Sequence, residues 1–246
     1  MTVIPVFLER GSAFVFFTVA ALLVAAHTAL SADAARRAGL GRSGLVRAPA
    51  TVAVFLACWF GLALVTKDSL PLLARELQLP VALAVGFGPM LAAAAILFSS
   101  RSLRAVNGAM PREWLVWAQS YRMAGFLFLF PFLAYGVIPA AFAIPAAVGD
   151  MITGALALPV GRAVARGGPQ AAKWAVAWNV FGILDLIVAP AVAIASHVNL
   201  LGYAPLAILP LFLGPPLGIL VHVFSLRNLA VNSHPAPARE LALGTI

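Results

Sequence analysis

Charged residues are scarce in this sequence of 246 residues, and that scarcity decides the class of protein. Only 10% of the residues are charged, whereas soluble proteins average about 25%. Hydrophobic residues make up 63% of the chain, which is more apolar surface than a water-soluble fold of this size can bury. The composition therefore excludes an ordinary soluble domain and predicts a protein that has lipid as its solvent.

Cysteine and lysine are also scarce. The single cysteine, Cys58, excludes an internal disulfide and lies in an apolar run, where we expect it to be a packing residue. The only lysines, Lys67 and Lys173, fall between apolar runs, so the last run offers no amine for a retinal Schiff base. The sequence has no Gly-x-Ser-x-Gly, His-Glu-x-x-His or phosphate-loop motif. We therefore predict no metal site, and no motif names a reaction.

Seven apolar stretches, each long enough to cross a bilayer as a helix, fill most of the chain. They lack the period-two pattern of membrane strands, so we predict an all-α, polytopic transmembrane helix bundle. The predicted spans are 11–31, 49–66, 79–99, 114–137, 138–160, 174–196 and 205–226. Residues 1–226 would form one transmembrane domain, and residues 227–246 a short cytoplasmic tail.

The first apolar stretch also resembles a secretory signal, because Ala32-Asp33-Ala34 imitates a cleavage site. However, the run from Ala13 to Leu30 exceeds the roughly 7–15 residues of a signal core. Arg36 and Arg37 follow directly, as in a stop-transfer flank. We predict a retained helix, and a cleaved signal over residues 1–34 remains the alternative.

Basic residues are divided unequally between the two ends of the predicted spans. One set of connecting segments carries twelve of them: Arg36, Arg37, Arg42, Arg47, Arg101, Arg104, Arg112, Arg162, Arg166, Lys173, Arg227 and Arg239. The other set carries only Arg10, Lys67 and Arg75. The positive-inside rule then predicts an N-terminus outside and a C-terminus in the cytoplasm. We predict a multi-pass protein of the cell membrane, with a composition that favours a bacterial inner membrane. Basic residues spread over short loops do not indicate a nucleic-acid partner.

Four ionisable residues lie inside the last four predicted spans: Arg122, Asp150, Asp185 and His222. Arg122 falls about 12 Å from its helix end, and both aspartates about 16 Å from theirs, at 1.5 Å per residue. Charge in hydrocarbon is costly and is rarely kept without a partner, so we expect the three charged groups to meet. Gln119, Tyr121 and Asn179 lie nearer the cytoplasmic ends and would line an approach to them.

Two acids for one base leave a surplus carboxylate, which could hold a proton or help to bind a cation. The leading hypothesis is therefore transport of a small solute or ion, not enzyme activity, with the lipid bilayer as the other partner. One alternative is a membrane-embedded enzyme or redox protein acting on a lipid, quinone or haem. Haem would need axial ligands such as His27 and His222, which the sequence places at similar depth near the cytoplasmic surface. Another alternative is a non-catalytic membrane subunit in which the charges only fix helix register.

Overall fold

The computed structural model, described for residues 6–126, 129, 139–195 and 205–233, contains only helices as regular elements in those ranges. The α-helices there are α1 Val6–Arg37, α2 Arg42–Ser69, α3 Arg75–Ser99, α4 Arg101–Ala109, α5 Arg112–Trp117, α6 Ala140–Arg166, α7 Pro169–Ala195 and α8 Pro205–Ser233. A 3-10 turn, Leu70–Leu72, precedes α3, and a longer 3-10 segment, Ala118–Gly125, continues α5. The predicted all-α class is confirmed for this part of the chain.

Five segments of the helices are long and apolar enough to cross a membrane: Phe17–Arg37, Arg42–Thr66, Glu76–Ser99, Ala140–Arg166 and Pro169–Val192. They correspond to predicted spans one, two, three, five and six. Large apolar side chains along them, such as Leu62, Leu91 and Val188, are exposed. Lipid tolerates such surfaces whereas water does not, so the chain is a membrane protein.

The 3-10 segment Ala118–Gly125 replaces the α-helix expected in the first half of predicted span four. Its three buried residues, Gln119, Arg122 and Gly125, are spaced three apart. A 3-10 helix has three residues per turn and places them in one row, whereas an α-helix would fan them over about 120°. Helix α6 packs closely against this segment. The remainder of predicted span four, residues 127–137 except 129, lies outside the described residues.

Predicted span seven, 205–226, lies within α8, but the helix continues to Ser233. It does not end near 226 because Ser225, Asn228 and Leu229 are buried against neighbouring elements. Asn228 donates a hydrogen bond to the Met110 carbonyl at 2.9 Å, which satisfies this polar side chain away from water. The predicted tail is therefore helical up to 233, and its remainder, 234–246, lies outside the described residues.

Apolar clusters hold the bundle together and bring distant helix ends to one place. The largest cluster joins α2 to α8 through Trp59, Phe60, Ala63, Leu217, Leu220 and Val221. A second packs Val106 of α4 on Ala34, Ala35 and Ala48 of α1 and α2. A third packs Leu229 of α8 on Val164 and Ala175 of α6 and α7. The Arg227–Asn107 hydrogen bond joins α8 near the third cluster to α4 near the second, so the arginine-bearing parts of α1, α4, α6 and α8 lie near one another.

Candidate functional site

Arg122 is the centre of a polar cluster that joins four elements. Its side chain is only 1% exposed and projects from the 3-10 segment. Nε donates to Asp150 Oδ1 of α6 at 2.6 Å, and Nη2 donates to Asp185 Oδ2 of α7. Nη1 lies 3.2 Å from the Gly182 carbonyl of α7 and 3.2 Å from His222 Nε2 of α8. Every guanidinium nitrogen therefore has a partner, as a buried cation requires.

The contacts of His222 fix its tautomer. A guanidinium can only donate, so His222 Nε2 must accept the hydrogen bond from Arg122. The proton of the neutral ring then resides on Nδ1, which donates to Asn179 Oδ1 at 2.9 Å. The ring is buried and lies 4.9 Å, centre to centre, from that of Trp178. His222 is thus held as a neutral imidazole by the two groups that contact it.

The cluster carries unequal charge. Arg122 contributes one positive charge, the ionised Asp150 and Asp185 would contribute two negative charges, and a neutral His222 contributes none. The aspartate side chains are 19% and 13% exposed, whereas the arginine is enclosed. The surplus negative charge therefore lies on the part of the cluster that the protein encloses less completely.

A row of polar groups on α8 extends from this cluster. Asn179 donates to Ser225 Oγ at 3.1 Å, so the chain of contacts Arg122–His222–Asn179–Ser225 leads along α8. Gln119 donates to the Gly218 carbonyl at 2.9 Å, one helical turn before His222. The Gln119 Oε1 atom is buried and has no hydrogen-bond partner among the described residues.

Two glycines make room for the cluster. A Cβ atom at Gly149 of α6 would overlap the Asp185 carboxylate, and one at Gly182 of α7 would overlap the His222 ring. Asp185 therefore reaches Arg122 past Gly149 of α6, and His222 reaches it past Gly182 of α7, because neither glycine has a side chain in the way. Small residues allow such close approach between membrane helices.

The structure brings together five of the residues singled out by sequence: Arg122, Asp150, Asp185, Asn179 and His222. Gln119 lies one 3-10 turn away and contacts α8. The hydroxyl of Tyr121 lies beside Gly218 of α8, so it borders the cluster without contacting the guanidinium. His222, which the sequence places near the cytoplasmic surface, is buried within the bundle and contacts Arg122.

The haem alternative does not fit the contacts of His222, one of its two proposed ligands. Both ring nitrogens of His222 have partners, Arg122 and Asn179, so an iron atom would have to displace one of them. His27 Nδ1 bonds to the Leu23 carbonyl at 2.8 Å, and its Nε2 atom has no hydrogen-bond partner among the described residues. The described residues also include no group of three or more side chains suited to a metal ion.

Sequence reasoning did not identify Ser225 as part of the site. Ser225 follows His222 by three residues and so shares its face of α8. Extending the search for polar residues by three positions from His222 would have found it.

The fold and the cluster define a polytopic helical membrane protein with a buried arginine–carboxylate site. Residues 78–230 match the sequence profile of a family described as Domain of unknown function (DUF8737). The match covers more than half of the chain, and the chain belongs to this family. It includes every residue of the cluster, from Gln119 to Ser225. No curated protein and no solved structure matches the chain.

Proposed function

We propose that this protein transports a small solute or ion, and that Asp150 and Asp185 form its binding site with Arg122 as the fixed counter-ion. The observation that carries the proposal is the unequal charge of the cluster. Two carboxylates share one guanidinium. One further positive charge, a proton or a cationic group, balances the site, and binding or release of that charge is what a carrier couples to movement.

The exposure of the site residues supports this division of roles. Arg122 is enclosed and each of its guanidinium nitrogens has a partner, so it serves as a fixed charge and not as the group that meets the solute. The partly exposed carboxylates accept the mobile positive charge.

A flux assay tests the proposal. The purified protein is reconstituted in vesicles that contain a pH-sensitive dye, and a panel of small solutes is added with and without a pH gradient. At least one solute should drive proton or solute flux, and Asp150→Asn and Asp185→Asn should each abolish it. Asp33→Asn is the matched control, because Asp33 lies on α1 and contacts only Arg36 and Arg37 among the described residues. Flux that persists unchanged in both site variants would overturn the proposal.

A purely structural role is the second candidate, and the fact that every guanidinium nitrogen of Arg122 has a partner favours it. The Arg122 guanidinium joins the 3-10 segment to α6, α7 and α8. These contacts alone would fix the relative positions of the four elements, with no solute bound and no proton moved. Under this alternative, the apolar triple variant Arg122→Met, Asp150→Leu, Asp185→Leu folds at least as well as the original and keeps its cellular role. Loss of that role in a triple variant that inserts and folds normally argues for transport.

The proposed topology has seven spans, with the N-terminus outside and the C-terminus in the cytoplasm of a bacterial inner membrane. It is supported by the proximity of the arginine-bearing parts of α1, α4, α6 and α8. Impermeant maleimide labelling tests it in a Cys58→Ala background. Leu72→Cys should be labelled from outside, since Leu72 is 85% exposed, and Ser102→Cys on α4 should be protected. The reverse pattern would invert the topology.

A further inference from the structure

Phe98, near the end of α3, is contacted by two arginines from distant parts of the chain. Arg104 of α4 donates a hydrogen bond from Nη1 to the Phe98 carbonyl. The Arg227 guanidinium of α8 lies over the Phe98 ring, 5.9 Å from its centre. Two guanidinium groups therefore converge on one residue at the basic end of the bundle.

These arginines are held in position by groups that do not neutralise them. Arg227 donates to Asn107 Oδ1 at 2.8 Å, and Asn107 is itself only 3% exposed. Neither Arg104 nor Arg227 forms an ion pair with a carboxylate within the part of the chain that the structure describes. Arg101, exposed at the start of α4, adds a third positive charge. Their remaining N–H donors suit a phosphate, which arginine binds with matching geometry.

If Arg104 and Arg227 served only to set the orientation of the protein in the membrane, their side chains would not need to be held in fixed positions. The positive-inside rule depends on the number of basic residues near a span and not on how their side chains are oriented. Here a buried asparagine and an aromatic ring orient Arg227, and a helix-terminal carbonyl orients Arg104. Oriented, unneutralised cations indicate a binding site for an anion.

The surroundings indicate that the anion belongs to a lipid. Phe98 is 50% exposed and is the second-last residue of the candidate span Glu76–Ser99, where a headgroup would lie. Leu91, 62% exposed, precedes it by seven residues and so shares its face of α3. An acyl chain would cover these two side chains, whereas free phosphate would leave them bare.

We propose that Arg104 and Arg227, assisted by Arg101, bind the phosphate of an anionic phospholipid whose acyl chain lies along Phe98 and Leu91. Basic clusters beside membrane helices commonly recognise anionic headgroups. This site is separate from the carboxylate cluster and does not depend on the transport proposal.

Native mass spectrometry of the purified protein in detergent tests the site. Phosphatidylglycerol and phosphatidylcholine with identical acyl chains are titrated separately, and inorganic phosphate is added as a competitor. The protein should retain phosphatidylglycerol in preference to phosphatidylcholine, and millimolar phosphate should not displace it. Equal retention of both lipids by the unmodified protein, or ready displacement by phosphate, would overturn the proposal.

A matched pair of variants separates the site from general surface charge. Arg104→Gln with Arg227→Gln removes two charges from the site, and Arg162→Gln with Arg166→Gln removes two exposed charges from the end of α6. The site variant should bind phosphatidylglycerol about tenfold more weakly than the control variant. Equal weakening in the two variants would show that no specific site exists. Should the site variant fold poorly, Arg104→Lys with Arg227→Lys keeps the charges and should still lose affinity, because lysine lacks the planar fork.

Discussion

The arginines of this protein differ in how far the bundle buries them, and the difference explains how each arginine is partnered. Arg122 lies among four elements in the middle of the bundle and is bonded to two carboxylates, a carbonyl and an imidazole. Arg104 and Arg227 lie beside the end of α3, are partly exposed and are bonded only to neutral groups. A buried cation must be compensated within the protein, whereas a cation at the membrane surface can use water or lipid headgroups. The number of acidic partners therefore follows from where each arginine sits.

Removal of the central cation should have the largest effect on stability. Arg122→Met leaves two carboxylates facing one another without compensation, and we expect a loss of about 3–5 kcal/mol in the free energy of unfolding. The measurement is reversible unfolding in mixed micelles. The triple variant Arg122→Met, Asp150→Leu, Asp185→Leu should be more stable than Arg122→Met alone. The comparison between the two arginine sites fails if Arg104→Met destabilises the protein as much as Arg122→Met.

Filling the space beside the cluster should have the next largest effect. Gly149→Ala forces the Asp185 carboxylate away from Arg122, and we expect a loss of about 1–3 kcal/mol, the usual cost of overpacking. Gly88→Ala on α3 is the control, because an added Cβ there meets no atom within 4 Å. Thermal unfolding of both variants in the same detergent checks the prediction. Equal midpoints for the two would mean that the close approach across Gly149 does not matter.

Loss of one neutral hydrogen bond from the polar row on α8 should have a smaller effect. Ser225→Ala removes the acceptor for Asn179, which keeps its bond to the Ala175 carbonyl at 2.7 Å. Side-chain hydrogen bonds within membranes contribute about 0.6 kcal/mol on average, so we expect a change of that order. Denaturation in the same mixed micelles measures it. A loss as large as that of Arg122→Met would contradict the view that charge compensation dominates this site.

An exposed arginine away from both sites should have the smallest effect. Arg42→Gln at the start of α2 changes a residue that is open to solvent, and we expect the free energy of unfolding to change by less than about 0.5 kcal/mol. A shift in the unfolding midpoint comparable to that of Gly149→Ala would show that the basic end contributes to stability through contacts other than those described.

Sequence was sufficient to predict the helical membrane class and the meeting of Arg122 with Asp150 and Asp185. Both follow from the same constraint, namely that hydrocarbon solvates neither free backbone groups nor unpaired charges. The constraint names the acidic partners of Arg122, but it does not predict its contact with the neutral His222. The glycines that admit Asp185 and His222 depend on which helix faces meet, and apolar periodicity does not specify that in lipid.

Local geometry was also beyond the reach of sequence. The switch from α-helix to 3-10 at Ala118 depends on the packing of α6 against Gln119, Arg122 and Gly125. The extension of α8 past 226 depends on polar contacts such as that of Asn228 with Met110, which join residues far apart in sequence. In both places tertiary contacts outweigh the local pattern.

The 3-10 segment has a mechanical consequence for the cation that it carries. A 3-10 helix rises about 2.0 Å per residue and an α-helix about 1.5 Å, so the eight residues Ala118–Gly125 are stretched by about 4 Å relative to an α-helical form. Rewinding to that form would shorten the segment and swing Arg122 around the helix axis, away from the row that it shares with Gln119. The length of the segment Ala118–Gly125 and the position of the Arg122 guanidinium between Asp150 and Asp185 are therefore coupled.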